Sequence, residues 1–247
     1  SRIRRNSRTM EPKKQRYLKV GEMNDLNRFK KHFPLAIRLS WDEVEELLWQ
    51  IVLDLKSSGY DPDVVVGVAR GGLAPARILV DYLHKKYICT FQMGHWEGET
   101  NLTEKPRIIF PLPEVDLSSK KVLVVDDVCD EGGTMEEVVT YLGHRVGDIR
   151  TAVLVSKADS RVMADYRAKT MSEWRWVLFP WSRHEDLLAF TEKTLQLTGG
   201  ATIEEIIRIL EESMGVEIAR NEIEKVLSDM HQAREIAEDA HKVWTLI

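Results

Sequence analysis

The chain has 247 residues, of which 43% are hydrophobic and 30% are charged, with a formal net charge of −5. These values are typical of a soluble globular protein. No run of the sequence approaches the roughly 18 consecutive apolar residues that a membrane span needs. The two cysteines, Cys89 and Cys129, give neither a disulfide framework nor a zinc pattern, and no apolar signal segment lies near the start, so we expect a reducing, cytoplasmic setting.

Charge is distributed unevenly along the chain. Residues 1–36 carry 11 Lys and Arg against 3 Asp and Glu, whereas residues 185–247 carry 6 against 14. We expect residues 1–35 to form a basic, flexible segment. Because this segment has few interleaved aromatic residues, a solvated or oligomer-pairing surface is favoured over a nucleic-acid-binding tail.

The first regular elements follow Ser40. Ser40 and Glu43 match a capping box, which predicts an amphipathic helix that ends near Leu55. The sequence DVVVGVA (residues 63–69) predicts a buried strand, and ARGGLAP (residues 69–75) predicts a glycine-rich turn into the next helix.

A second strand is predicted over residues 87–92. The polar and aromatic residues 93–113 that follow are predicted to form a long irregular excursion, which in a compact domain is usually functional or disordered.

The most informative stretch is Lys121–Thr134, with the sequence KVLVVDDVCDEGGT. Its apolar run predicts a strand buried on both faces of a parallel sheet. Asp126 and Asp127 follow this run, then Asp130, and then a glycine pair that opens a helix. Backbone N–H groups at a helix start hold phosphate, and carboxylates hold sugar hydroxyls or a metal. The stretch therefore predicts a site for a phosphorylated, hydroxylated ligand.

Strands that alternate with helices predict an α/β fold with a parallel sheet flanked by helices. Further strands are predicted over residues 149–156, 164–170 and 176–179. Ligands of such sheets bind at the carboxyl ends of the strands. Three candidate loops follow strands at that edge, which predicts one shared site: residues 70–72, 126–134 and 157–160.

The last part of the chain, residues 187–247, has a different pattern. Three helices are predicted over residues 187–197, 202–214 and 221–232, followed by a terminal β-hairpin. This order resembles a winged-helix module, appended to a main domain at residues 36–186. A module that reads DNA should present a basic face, so this acidic one favours partner contact or self-association over nucleic acid.

Three motifs resemble those of the type I phosphoribosyltransferases, most closely those of the xanthine-guanine and hypoxanthine enzymes. They occur along the chain in the same order as in that family. VLVVDDVCDEGGT resembles their diphosphate-sugar signature, VGVARGGLAPARIL their pyrophosphate loop, and SKADSRVMADY with WRWVLFPW their base-binding region. The resemblance covers about residues 36–184. It implies the family fold and transfer of phosphoribosyl from phosphoribosyl pyrophosphate to a 6-oxopurine (hypoxanthine, guanine or xanthine), giving a nucleoside monophosphate and pyrophosphate. It also implies Mg²⁺ and a homodimer or higher homo-oligomer. From charge and apolar content we expect no membrane partner, and nucleic acid is not the expected partner.

The resemblance further implies roles for individual residues. Asp130 and Arg70 are the expected catalytic residues, and Asp126 and Asp127 would hold the metal through waters or ribose hydroxyls. A cis peptide bond is expected at Arg70–Gly71. The expected substrate-binding residues are Arg70, Gly71, Gly72, Asp126, Asp127, Asp130, Glu131, Gly132, Gly133, Thr134, Lys157, Trp176, Val177 and Leu178.

Several interpretations stay open. Glu131 departs from the family pattern of a small hydroxyl residue, and its charge would repel a phosphate unless it turns to solvent or to a basic partner. With the winged-helix-like end, it motivates an alternative: a regulator that senses phosphoribosyl pyrophosphate or nucleotide and binds nucleic acid. Lys157 and Trp176 disfavour a pyrimidine substrate, although for Trp176 core packing with the neighbouring tryptophans is an alternative.

Overall fold

The computed structural model describes residues 27–97 and 101–247, which form two compact units. The larger unit is Ile37–Arg183. The smaller unit contains His184–Ile247 and the described residues that precede Ile37. Most of the basic segment that we expected to be flexible, residues 1–26, lies outside the described residues.

The regular elements alternate between strands and helices in the larger unit and are mainly helical in the smaller one. In chain order they are α1 (Asn27–Lys30), β1 (Ala36–Arg38), α2 (Trp41–Ser58), β2 (Val64–Ala69), α3 (Leu73–Tyr82), β3 (Tyr87–Glu97), β4 (Asn101–Phe110), β5 (Leu117–Cys129), α4 (Gly133–Leu142), β6 (Val146–Lys157), β7 (Tyr166–Met171), β8 (Trp176–Leu178), α5 (Arg183–Thr198), α6 (Ile203–Met214), α7 (Arg220–Gln232), β9 (Ile236–Glu238) and β10 (Trp244–Leu246).

A six-stranded sheet in the order β4-β3-β2-β5-β6-β7 forms the centre of the larger unit. Every neighbouring pair from β3 to β7 is parallel, as the alternating pattern predicts. The irregular excursion predicted over residues 93–113 is wrong: β3 continues to Glu97 and pairs antiparallel with β4. Since β4 is an edge strand with one unpaired side, it tolerates a polar sequence that gives little strand signal.

Helices cover both faces of this sheet. Successive side chains of a strand point to opposite faces, so β5 contributes to two hydrophobic clusters. On β5, Leu123 and Val125 belong to the hydrophobic cluster that contains α2 and α3. Val122 and Val124 belong to the cluster that contains the apolar face of α4. All four side chains are fully buried, as expected for a strand covered on both faces.

The start of α2 confirms the capping box. The Ser40 N–H donates to Glu43 Oε2 at 2.7 Å, and the Glu43 N–H donates to Ser40 Oγ at 3.2 Å. The helix ends at Ser58, three residues beyond the predicted end, with Gly59 at φ 71° as its left-handed cap.

The strand predicted over residues 176–179 exists but lies outside the central sheet. It is β8, which pairs with β1 in a separate two-stranded sheet. In this pair the Leu39 N–H donates to the Leu178 carbonyl at 3.2 Å.

The smaller unit contains the three helices and the terminal hairpin that the sequence pattern predicts. β9 and β10 pair antiparallel, with Trp244 opposite Glu238 and Leu246 opposite Ile236. Thr202 and Glu205 form a second capping box at the start of α6. Within the described part of the chain, no helix has both the length and the apolar character to cross a membrane.

Candidate functional site

Three loops meet at one edge of the sheet because β2, β5 and β6 are parallel neighbours. Arg70–Gly72 follow β2, Asp130–Gly132 follow β5 and lead into Gly133 and Thr134 at the start of α4, and the loop after β6 follows Lys157, the last residue of that strand. The carboxyl ends of these strands are where ligands of α/β sheets bind.

The glycines of the first loop let it pack directly against the end of β5. A Cβ atom on Gly71 would overlap the Asp127 carboxylate, and one on Gly72 would overlap the Val125 carbonyl. The expected cis bond at Arg70–Gly71 is wrong by one residue, since the cis peptide bond joins Ala69 and Arg70. Arg70 itself is exposed.

The two carboxylates at the end of β5 have different surroundings. The Asp127 N–H donates to Asp126 Oδ1 at 3.0 Å. Burial raises the pKa of Asp126, and the neighbouring charge of Asp127 raises it further, while backbone N–H groups of Asp127 and Gly72 partly oppose both effects. Asp126 therefore gives up its proton less readily than an exposed aspartate does.

Trp181 holds the second carboxylate. Its indole N–H donates to Asp127 Oδ2 at 3.2 Å. The indole stacks on Phe179 with ring centroids 4.7 Å apart and an interplanar angle of 12°, and it also contacts Trp41 at 5.7 Å. From the sequence we expected a site role for Trp176 and none for Trp181. The proline–tryptophan pair that ends the third motif is the signal that could have identified Trp181.

Asp130 and Lys157 lie side by side. Lys157 Nζ is 3.6 Å from Asp130 Oδ1 and 3.9 Å from Asp159 Oδ1. Asp130 Oδ1 is buried and accepts no hydrogen bond from the residues that the structure describes. A buried carboxylate oxygen normally has a donor, so Asp130, whose side chain as a whole is 46% exposed, has capacity left to accept a ligand N–H.

The segment Asp130–Thr134, which we call the phosphate-type loop, forms one wall of a cavity of about 590 Å³. Gly132 has φ +87°, and a Cβ atom there would meet Val162 and the Ser160 hydroxyl. The loop after β6 therefore packs onto Gly132. The described residues that line the cavity include Asp126, Asp130, Glu131, Gly132, Gly133, Thr134 and Arg161.

Glu131 turns to a basic partner that the sequence argument did not name. Arg161 Nη2 lies 3.2 Å from Glu131 Oε2, and the Arg161 N–H donates to the Glu131 carbonyl at 3.3 Å. This pairing satisfies the condition under which a carboxylate is compatible with the loop.

The residues expected to contact a base are less clearly assembled. Trp176 is 42% exposed, so it is not a core residue, whereas Val177 and Leu178 are buried. The Leu178 carbonyl already accepts a hydrogen bond from Leu39. Among described residues, the cavity lining does not include Arg70, Lys157 or Trp176.

The acidic pair fits a hard cation only in part. Within the described ranges, no group of three His, Cys, Asp or Glu side chains is arranged to hold a metal ion. Mg²⁺ is commonly bound by one or two carboxylates together with substrate phosphates and waters, so Asp126 and Asp127 suffice if a ligand supplies the remaining oxygens.

Comparisons with known proteins agree with this geometry. Residues 35–186 match the family model described as "Phosphoribosyl transferase domain". A xanthine-guanine phosphoribosyltransferase of Cereibacter sphaeroides is 28% identical over 157 residues, covering 59% of this chain and 86% of that protein.

One solved structure and one regulator extend the comparison. The purine phosphoribosyltransferase of Pyrococcus horikoshii is 33% identical with a TM-score of 0.52, covering 59% of this chain and 93% of that one. A transcriptional regulator named GfcR from Methanococcoides burtonii is 26% identical over 145 residues, covering 53% of this chain and 69% of the regulator.

Proposed function

This chain belongs to the phosphoribosyl transferase domain family, and from that premise we propose that it transfers the phosphoribosyl group of phosphoribosyl pyrophosphate to a 6-oxopurine. The C1′–oxygen bond to pyrophosphate breaks, and a bond from a purine ring nitrogen to C1′ forms. The products are a nucleoside monophosphate and pyrophosphate.

The observation that carries the choice of base is the pairing of Asp130 with Lys157. An ammonium donor lies 3.6 Å from a buried carboxylate oxygen that lacks a hydrogen bond. A 6-oxopurine presents O6 and N7 next to each other on one edge, as guanine does in nucleic acids. Lys157 would donate to O6 while Asp130 accepts from a protonated N7. Adenine has an amino donor in place of O6, which would face the ammonium donor.

The reaction needs opposite charges at the two ends of the breaking bond. As pyrophosphate leaves, the sugar develops positive charge, and preorganised carboxylates near the ribose favour that state. Asp126 and Asp127 would hold the ribose hydroxyls. Arg70 and the N–H group of Gly71 would hold the leaving pyrophosphate, whereas the Gly72 N–H already donates to the Val68 carbonyl at 2.8 Å. Asp130 would take up the proton released by the purine.

The 5′-phosphate would bind the loop from Asp130 to Thr134. α4 begins at Gly133, so the N–H groups of its first turn, which have no acceptor within the helix, would donate to the phosphate, and the Thr134 hydroxyl would add a donor. Asp126 and Asp127, together with substrate oxygens, would hold Mg²⁺, which would neutralise charge on the pyrophosphate. Trp176 would stack on the base, and the main chain at Val177 and Leu178 would contact its edge.

The remaining assignments concern the setting. We propose a phosphoribosyltransferase domain at residues 36–186 and a role in partner contact or self-association for residues 187–247. We also propose a homodimer or higher homo-oligomer, as the resemblance to the family implies. Cys89 and Cys129 are both free thiols, which supports a cytoplasmic location.

Steady-state assays with hypoxanthine, guanine, xanthine and adenine test the activity, and Asp130→Asn tests its mechanism. General acid–base catalysis contributes roughly 10²–10⁴-fold, so this variant should lose that much kcat while its KM for phosphoribosyl pyrophosphate changes little. Asp159→Asn is the matched control, because Asp159 is also near Lys157 but is 78% exposed. Absence of turnover with all four bases would refute the activity, and full turnover in Asp130→Asn would remove Asp130 from catalysis.

A regulator is the second candidate, favoured by the similarity to the regulator GfcR. It would sense phosphoribosyl pyrophosphate or nucleotide and bind nucleic acid through the smaller unit or through the basic segment at residues 1–35. The acidic balance of residues 185–247 opposes that role. A salt-dependent gel shift of DNA or RNA that responds to phosphoribosyl pyrophosphate would favour the regulator over an enzyme that binds no nucleic acid.

A further inference from the structure

Arg161 is fixed at its backbone and exposed at its tip. Its N–H donates to the Glu131 carbonyl, and the residues on either side of it, Ser160 and Val162, pack against Gly132. The Ser160 hydroxyl also donates to the Val162 carbonyl at 2.9 Å. The backbone of Arg161 is therefore tied to the phosphate-type loop, while its side chain is 82% exposed.

The partner of the guanidinium is held weakly. Glu131 is 70% exposed, and its Oε2 atom lies 3.2 Å from Arg161 Nη2. An ion pair between two exposed side chains contributes little to stability, because water screens the charges and ordering two long side chains costs entropy. Little free energy is lost when Arg161 leaves Glu131 for another anion.

Both charges face the place where a phosphate would bind. Glu131 and Arg161 line the same cavity as the loop Gly132–Thr134. A dianionic phosphate on this loop repels Glu131 and attracts Arg161. Arginine binds phosphate through two parallel charge-assisted hydrogen bonds, which are about twice as strong as neutral ones. The phosphate therefore competes well for the guanidinium.

We propose that Arg161 is a binding residue for the sugar 5′-phosphate, which it contacts by moving from Glu131 to the incoming dianion. The inference rests on the proposed function for the identity of the ligand as a sugar phosphate. It assigns to the loop after β6 a direct part in phosphate recognition. It also gives Glu131 a role, since this carboxylate holds Arg161 at the cavity until a dianion replaces it.

Binding of ribose 5-phosphate, measured by calorimetry without any purine, tests this assignment. Loss of a hydrogen bond to a charged group corresponds to roughly ten- to a hundredfold in affinity, so Arg161→Gln should weaken binding by about that factor. Arg161→Lys should recover part of the loss, because lysine supplies the charge without the paired geometry. Arg220→Gln is the control: it removes the same charge and an exposed ion pair, that with Glu204, in the smaller unit.

The variant Glu131→Gln separates direct contact from simple shielding. Alone it should tighten binding, because it removes a repulsive charge and frees Arg161. In the Glu131→Gln background, Arg161→Gln should still weaken binding by the same order. If it has no effect there, Arg161 only shields Glu131, and the proposal is overturned. It is equally overturned if Arg161→Gln binds ribose 5-phosphate like the unmodified protein.

The same experiment keeps this inference distinct from the proposed function. Binding of ribose 5-phosphate needs no turnover, so an Arg161-dependent affinity in a protein that transfers nothing to any purine would refute the activity and support the phosphate site. The opposite result is a protein that turns over a purine while Arg161→Gln changes neither KM for phosphoribosyl pyrophosphate nor the affinity for ribose 5-phosphate. That result would support the activity and refute the role of Arg161 in phosphate binding.

Discussion

Replacing Trp181 with phenylalanine should impair the use of phosphoribosyl pyrophosphate more than it impairs folding. The substitution removes the indole N–H that donates to Asp127 at 3.2 Å but keeps an aromatic ring against Phe179. Without that donor, the Asp127 carboxylate loses one of the contacts that orient it beside Gly71, against which it packs. The acid that we assign to the ribose hydroxyls would then be less well preorganised.

The size of the effect follows from the hydrogen bond that is lost. A hydrogen bond to a charged group is worth about 1.5–3 kcal/mol, and the half-buried position of this one places it at the lower end, near about 1.5 kcal/mol. Since about 1.4 kcal/mol corresponds to a tenfold rate, kcat/KM for phosphoribosyl pyrophosphate should fall roughly tenfold. KM for the purine should change much less, because Asp127 is assigned to the sugar.

The assay is steady-state kinetics with each substrate varied in turn, at several Mg²⁺ concentrations, together with a urea unfolding curve. Trp41→Phe is the matched control. The Trp41 ring centroid lies 5.7 Å from that of Trp181, but Trp41 is 51% exposed and belongs to α2, not to the three loops of the site. Positioning by Trp181 is refuted if the Trp181→Phe enzyme keeps its kcat/KM for phosphoribosyl pyrophosphate. It is also refuted if both variants lose activity in proportion to lost stability, which is the result of a purely structural role.

Two further predictions concern stability. Gly72→Ala should destabilise the fold by about 1–3 kcal/mol or more, because its Cβ would overlap backbone atoms of Val125 and Val68 that cannot move aside. Gly133→Ala is the control and should not destabilise the fold, since the nearest neighbour of its Cβ is Pro106 at 3.9 Å. Equal urea midpoints for the two variants would contradict this prediction. Ser40→Ala should cost about 1 kcal/mol at neutral pH. The backbone N–H of Ser40 and, less strongly, its hydroxyl lower the pKa of Glu43. Only the hydroxyl contribution is lost in Ser40→Ala, and it is present above the ordinary glutamate pKa of about 4.3 and lost as pH falls through the lowered value. The gap between the two proteins should therefore narrow on acidification, and a constant gap from neutral to acid pH would show that Glu43 is not coupled to the cap.

Local sequence signals predicted the elements whose own residues decide their structure. The capping box at Ser40 and the apolar run of β5 are of this kind, because hydrogen bonds three residues apart and continuous burial both leave a pattern in the sequence. β4 left no such pattern. Its strand structure depends on pairing with β3, in which Gln92 lies opposite Phe110, and a one-sided pairing places little demand on composition.

The side-chain partners of the site were harder to predict than its backbone. The sequence identified Asp127 and Glu131, but their partners, Trp181 and Arg161, lie 54 and 30 residues further along the chain. No local periodicity encodes such a pair. The sequence indicates only that Glu131 needs a basic partner. The loop after β6 packs onto Gly132, and this packing makes Arg161 that partner.

The Asp130–Lys157 pair shows how strand register converts two separate motifs into one recognition element. Parallel strands β5 and β6 pair with Cys129 opposite Ser156, so the next residues along the chain are Asp130, just after β5, and Lys157, the last residue of β6. Their 3.6 Å separation therefore follows from the register of two buried strands. A slip of one residue would exchange the faces of the buried valines, which the two apolar cores forbid. The donor–acceptor spacing offered to a purine edge is thus fixed by the core of the sheet, and substitutions in the loops alone should not change it.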